Sequence, residues 1–149
     1  EFAWDNMIAE GPNAIVHDGT IYLIYSGSLV GIDYTTGLVT APAGQDADLT
    51  DPNVWTKLDY PLQKSGVYNG QWQLGTGHGM WSNDEDGNLI YVFHNAEYEN
   101  GRYGGRDAQV RRVHWSKEGM PILDMQAAEE LNPDYADITM KIVVSGNEG

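Results

Sequence analysis

Cysteine is absent from this 149-residue chain, which excludes a disulfide framework and a thiolate metal site and leaves the redox compartment open. Positive charge is scarce: 8 Lys plus Arg stand against 22 Asp plus Glu, a net charge of −14. Such a surface repels a phosphate backbone, so nucleic acid is not expected as a partner. No apolar run approaches the ~18 residues of a membrane-crossing helix, and no secretory leader pattern opens the chain. A membrane partner is therefore not expected, and secreted and cytoplasmic settings both stay open. Helical periodicity is nearly missing, with one short suggestion at Met125 to Leu131, stopped by Asn132-Pro133.

What is present is glycine and aromatics, 18 Gly with 9 Tyr and 5 Trp. That mixture suits short strands and tight turns and leaves aromatic surface for flat apolar ligands such as sugar rings. The residues also repeat. Trp4, Glu10, Gly11, Asp18 and Gly19 recur as Trp72, His78, Gly79, Asp86 and Gly87, each pair at the same spacing. A fixed period of this size marks a repeat architecture in which each copy is one supersecondary unit. A glutamate and a histidine thus hold one place in two copies, and a place that changes while its scaffold stays fixed is where repeat proteins put functional side chains.

Each copy reads as a meander of short strands. Glu10 to His17, the turn Asp18-Gly19, Thr20 to Tyr25, Thr36 to Ala41 and Val54 to Leu58 make the first. His78 to Ser82, the turn Asp86-Gly87-Asn88, Leu89 to His94, Gln109 to Trp115 and Ile122 to Met125 make the second, and Ile138 to Val144 reads as a terminal strand before Ser145-Gly146-Asn147. The expected fold is all-β, two four-stranded antiparallel blades of a β-propeller. The divisions expected are 3–74, 75–133 and a terminal strand and linker over 134–149. A propeller closes with about four to eight blades, and the chain enters abruptly at Ala3-Trp4, so it reads as part of a larger ring.

Glu10-Gly11-Pro12 with a hairpin ending Ile24-Tyr25-Ser26-Gly27-Ser28, then Gly75-Thr76-Gly77-His78, Asp86-Gly87-Asn88 to His94, and Arg106 to Trp115 with Glu118-Gly119-Met120-Pro121 resemble glycoside hydrolase family 43. The similarity is to its last two blades, in the α-L-arabinofuranosidase and arabinanase branch, and it runs from Trp4 to about Pro133. The resemblance implies a five-bladed propeller that hydrolyses glycosides with inversion. It uses an aspartate base, a second aspartate that tunes and orients, and a glutamate acid in the Glu-Gly-Pro motif, here Glu10. The two aspartates would belong to blades absent from this chain. The resemblance further implies that His78 helps bind a central metal, calcium with water completing its shell, and that Arg106 reaches the substrate. Asp107 and Gln109 depart from the commoner pattern beside that arginine.

Inverting hydrolysis needs an acid on the leaving oxygen and a carboxylate about 6.5 to 9.5 Å away to activate water. One carboxyl cannot perform both tasks, so the isolated chain is expected to be inactive or weakly active. Its expected partners are an arabinose-containing oligo- or polysaccharide and either a second copy of itself or a complementing N-terminal half. The reading from another class is a catalytically incompetent carbohydrate-binding or assembly module. Plainer readings stand beside each assignment: Glu10 as a solvated loop residue, His78 as a strand end, Arg106 as a surface ion pair. His17, His94 and His114 lack partners at metal-ligand spacing and read as core or surface histidines. The acidic groups Asp46, Asp48, Asp51 and Asp84, Glu85, Asp86 lack calcium-loop spacing. The recurrence of Trp4 at Trp72 reads as packing between blades, and Trp81 remains a candidate for stacking on a sugar.

Overall fold

Two aspartate-glycine turns set the plan of the fold. Asp18 and Gly19 both take positive φ, 46° and 75°, the backbone that joins two strands without splaying them. They link β1 (Ala9–His17) to β2 (Thr20–Gly27), and β3 (Thr35–Pro42) and β4 (Thr56–Lys57) complete sheet 1 in the antiparallel order β1-β2-β3-β4. Sheet 2 is β5 (Gly66–Tyr68), β6 (Gln71–Asn83), β7 (Leu89–Glu99) and β8 (Arg102–Arg112), again antiparallel and in chain order. Its central turn is held by Asp84, whose carboxylate accepts the backbone N–H groups of Asp86 and Asn88. A two-stranded hairpin of β9 (His114–Trp115) and β10 (Pro121–Ile122) follows. These features come from a computed structural model that describes residues 2–144.

The core lies between the sheets. Tyr22, Ile24 and Leu38 of sheet 1 pack with Trp81, Tyr91 and Phe93 of sheet 2, and Val113 and Leu123 close the cluster. Removing each such side chain from water is worth about 1.5–3 kcal/mol. The polar atoms of this cluster are paired, as burial requires: Tyr91 and Thr36 share a hydroxyl hydrogen bond of 2.7 Å, and the Trp81 indole donates to the Tyr22 carbonyl at 3.3 Å.

The all-β expectation and the two four-stranded sheets are present; no closed ring is formed by the described residues. The sheets differ in their fourth strand. β1, β2 and β3 correspond to β6, β7 and β8, but β6 begins at Gln71, well ahead of the expected His78. The turn Asn69-Gly70, with φ of 47° and 76°, folds β5 back onto that extension. The segment expected as the fourth strand, Ile122 to Met125, instead contributes to β10, paired only with β9.

No strand forms over Ile138 to Val144. The tail is held by other bonds instead: the Arg112 guanidinium, paired with Asp84, donates to the carbonyls of Tyr135 and Asp137, and the Thr139 carbonyl accepts from the Glu85 backbone N–H. Beyond Thr139, Ile142, Val143 and Val144 are exposed. The expected linker at Ser145-Gly146-Asn147 lies outside the described residues. The helical suggestion shrinks to one 3-10 turn, Ala127–Glu129. Trp72 is 70% exposed and so does not pack between the sheets, whereas Trp4 stacks on Phe2 and Tyr25. Trp81 is core and unavailable to a sugar. His17 stacks on Trp115 at 3.8 Å, and His114 meets Glu130 at 2.6 Å.

Candidate functional site

Glu10 and His78 sit at matching irregularities. The β1–β2 ladder slips between Glu10 and Asn13, where Pro12 has no N–H to give and Gly11 takes a φ of 61°. The β6–β7 ladder slips on both sides of Gly77, between Leu74 and Gly77 and between Gly77 and Met80, and His78, within the second slip, takes a φ of 49°. Bulges of this kind re-aim side chains, and here they turn Glu10 and His78 toward each other. His78 Nδ1 lies 3.7 Å from Glu10 Oε1. Gly11 favours this approach, because its positive φ suits glycine and a Cβ there would crowd the His78 ring, 3.2 Å from Nε2. The His78 backbone N–H is fixed by Ser26 Oγ at 2.6 Å.

Tyr34, at the entry to β3, links the pair. Its hydroxyl donates to Glu10 Oε1 at 2.6 Å and lies 3.1 Å from His78 Nδ1. The ring is fully buried and lies against Gly77, where a Cβ would come within 2.6 Å of it. Burial, reinforced by the hydrogen bond to Glu10, pushes the Tyr34 phenol up to about 12. It therefore stays a neutral donor at any physiological pH.

Arg106 on β8 and His94 on β7 complete the group. They share with His78 an open depression of about 330 Å³, floored by Met80, Val92 and Ala108. Arg106 Nε donates to the Tyr103 hydroxyl at 2.6 Å, so its terminal amino groups are the donors left for a ligand. His94 stacks on Tyr34, centroids 5.6 Å apart at 14°. Burial, then the charges of Arg106 and His78, lower its pKa, which holds it neutral. Neither of its ring nitrogens has a hydrogen-bond partner among the described residues. A larger hollow of about 460 Å³ opens on the other side of sheet 1 beside Asp5, Tyr25 and Lys57. The Lys57 ammonium there is already engaged by Asp5, so that hollow offers no free cation to a ligand.

The three residues singled out by sequence, Glu10, His78 and Arg106, thus meet at one end of the two sheets. Tyr34 lies in no motif and is not singled out by the sequence; His94 closes the Asp86-Gly87-Asn88 to His94 segment but reads there as a core or surface histidine. The glycine density of Gly75-Thr76-Gly77-His78-Gly79 was the available signal that another side chain approaches the backbone closely. For a metal, the donors are one imidazole and one carboxylate. No group of three or more His, Cys, Asp or Glu able to hold an ion occurs among the described residues. Calcium takes about 6–8 oxygen ligands, so these residues do not fit a calcium site by themselves.

Comparison with known proteins supplies a context for this geometry. The family model of glycosyl hydrolases family 43 matches residues 3–121. The chain is 30% identical over 142 residues to an extracellular exo-alpha-(1->5)-L-arabinofuranosidase of Streptomyces avermitilis, covering 88% of this chain and 28% of that protein. It is 34% identical over 130 residues to alpha-L-arabinofuranosidase 43 of Humicola insolens, covering 81% of this chain and 26% of that protein. Among solved structures, an alpha-L-arabinofuranosidase from Lactobacillus brevis superposes with a TM-score of 0.71 at 30% identity, covering 81% of this chain and 39% of that one. The chain therefore spans well under half the length of each.

Proposed function

This chain belongs to glycosyl hydrolases family 43, and on that premise we propose that it is the C-terminal, two-blade part of an inverting hydrolase acting on α-L-arabinofuranosyl linkages of plant polysaccharide. The observation that carries this reading is the convergence of Glu10, His78 and Arg106 on one end of the sheets. The names of the relatives that the chain matches favour arabinofuranosides as substrates.

In this reading Glu10 is the general acid. It protonates the glycosidic oxygen as the bond to the anomeric carbon breaks, while a carboxylate from another blade, about 6.5 to 9.5 Å away, activates the attacking water. Tyr34 holds one Glu10 oxygen and leaves the other for the leaving group. Arg106, its Nε committed to Tyr103, offers its remaining N–H groups to sugar hydroxyls. His78 would enter a calcium site only as one ligand among others brought by further blades and water. The aspartate base and the orienting aspartate lie outside the chain.

The test is complementation. The chain alone is expected to release little or no arabinose from a chromogenic α-L-arabinofuranoside, and the same chain joined to an N-terminal portion of a family relative is expected to release it. Failure of the joined protein to bind or cleave any arabinofuranoside, with the fold intact, would favour the binding or assembly module instead.

A further inference from the structure

We propose that Tyr34 is a positioning residue that locks His78 in the Nδ1–H tautomer, so that Nε2 is left as the hydrogen-bond acceptor of a half-exposed ring.

The argument is a count of protons. The Tyr34 hydroxyl has one proton to give, with Glu10 Oε1 at 2.6 Å and His78 Nδ1 at 3.1 Å; the Ser26 hydroxyl, which has its own proton, also bonds to it. The shorter bond, to the Glu10 carboxyl oxygen, takes that proton. What Tyr34 then turns toward His78 is an oxygen lone pair. A bare Nδ1 at that distance would set two lone pairs against each other, so Nδ1 carries a proton and donates it. The result is a directed chain, His78 Nδ1–H to Tyr34 Oη–H to Glu10 Oε1. Neutral histidine in water favours the opposite tautomer, and the partner of one ring nitrogen decides the state of the other.

The hydroxyl cannot turn away to escape this arrangement. The Tyr34 ring is buried, lies flat against Gly77 and is stacked on His94. His78 is equally constrained, its backbone N–H held by Ser26 and its ring lying over Gly11. Nε2 is left as an acceptor on a side chain that is 48% exposed, and it suits a ligand that donates, such as a sugar hydroxyl. The catalytic use of this arrangement rests on the reading of Glu10 as the acid; the tautomer itself does not.

The experiment is a long-range 1H–15N correlation spectrum of the 15N-labelled chain at a pH where its imidazoles are neutral, with His78 assigned by its loss in His78→Gln. The expected pattern is a protonated, pyrrole-like Nδ1 and a pyridine-like Nε2, shifting toward the Nε2–H form in Tyr34→Phe. A pyrrole-like Nε2 in the unsubstituted chain overturns the proposal, and so does a pattern that Tyr34→Phe leaves unchanged. If Tyr34→Phe fails to fold, the spectrum of the unsubstituted chain decides alone. No hydrolysis is measured, so an inactive chain does not affect the result.

Discussion

The side-chain carbonyl of Asn13 accepts the backbone N–H of Trp81 at 2.8 Å, and the two residues stand 68 apart, the period of the repeat. Equivalent positions of the two copies are thus bonded to each other. β1 and β6, the equivalent strands, run side by side just beyond the paired irregularities that carry Glu10 and His78. Asn13→Ala removes the acceptor and leaves a partly buried N–H unpaired, which costs about 1–3 kcal/mol. Urea unfolding is expected to show a lower midpoint with an unchanged slope, whereas Lys117→Ala, at an exposed position, should leave the midpoint unchanged.

Acid stability follows from Asp5. Burial alone would raise its pKa, but hydrogen bonds from Lys57, the Phe2 backbone N–H and Tyr25 outweigh that and hold the carboxyl below the usual carboxylate range. The native state therefore holds the Asp5 proton less tightly than the unfolded chain does. Its contribution to stability is complete above the unfolded pKa and is lost as pH falls through the lower native value. Asp5→Asn is expected to reduce stability at neutral pH and to flatten its decline in that acid window. An acid limb as steep as in the parent protein would contradict this assignment.

The outer faces of the sheets predict association. Met80 on sheet 2 and Val16 on sheet 1 are 50% and 64% exposed, and Trp72 at the start of β6 is 70% exposed. Contiguous exposed apolar surface marks an interaction site, and association would cover these side chains. Sedimentation velocity at micromolar concentration is expected to show a dimer or larger species, or a complex once an N-terminal half is supplied. A folded, cooperatively melting monomer that binds no such half would refute both versions.

Much of this was legible in the sequence because repeats and turn residues act locally. Asp18-Gly19 and Asp86-Gly87 mark the hairpins directly, and the fixed spacing puts Glu10 and His78 at equivalent points of the two copies. What escaped depends on distant partners. Tyr34 lies in no motif and gains its place from Gly77 and His94, which come from other strands. β5 exists because the turn at Asn69-Gly70 folds it onto an extended β6, and the tail after Pro133 is held by Arg112 through backbone carbonyls that carry no side-chain signature. Trp72 repeats Trp4 in sequence but not in surroundings, since Trp4 has Phe2 and Tyr25 to stack on.

The central claim is that Glu10 is the general acid, and the leaving group reports on it most directly. A leaving group that departs poorly needs the proton, and an activated aryl leaving group does not. In the chain joined to its complementing N-terminal portion, kcat/KM is to be compared for an arabino-oligosaccharide and a dinitrophenyl arabinofuranoside, with and without Glu10→Ala. The account predicts a loss of about 10²–10⁴-fold on the oligosaccharide and a far smaller loss on the activated substrate. Equal losses on both, or none on either, would contradict it.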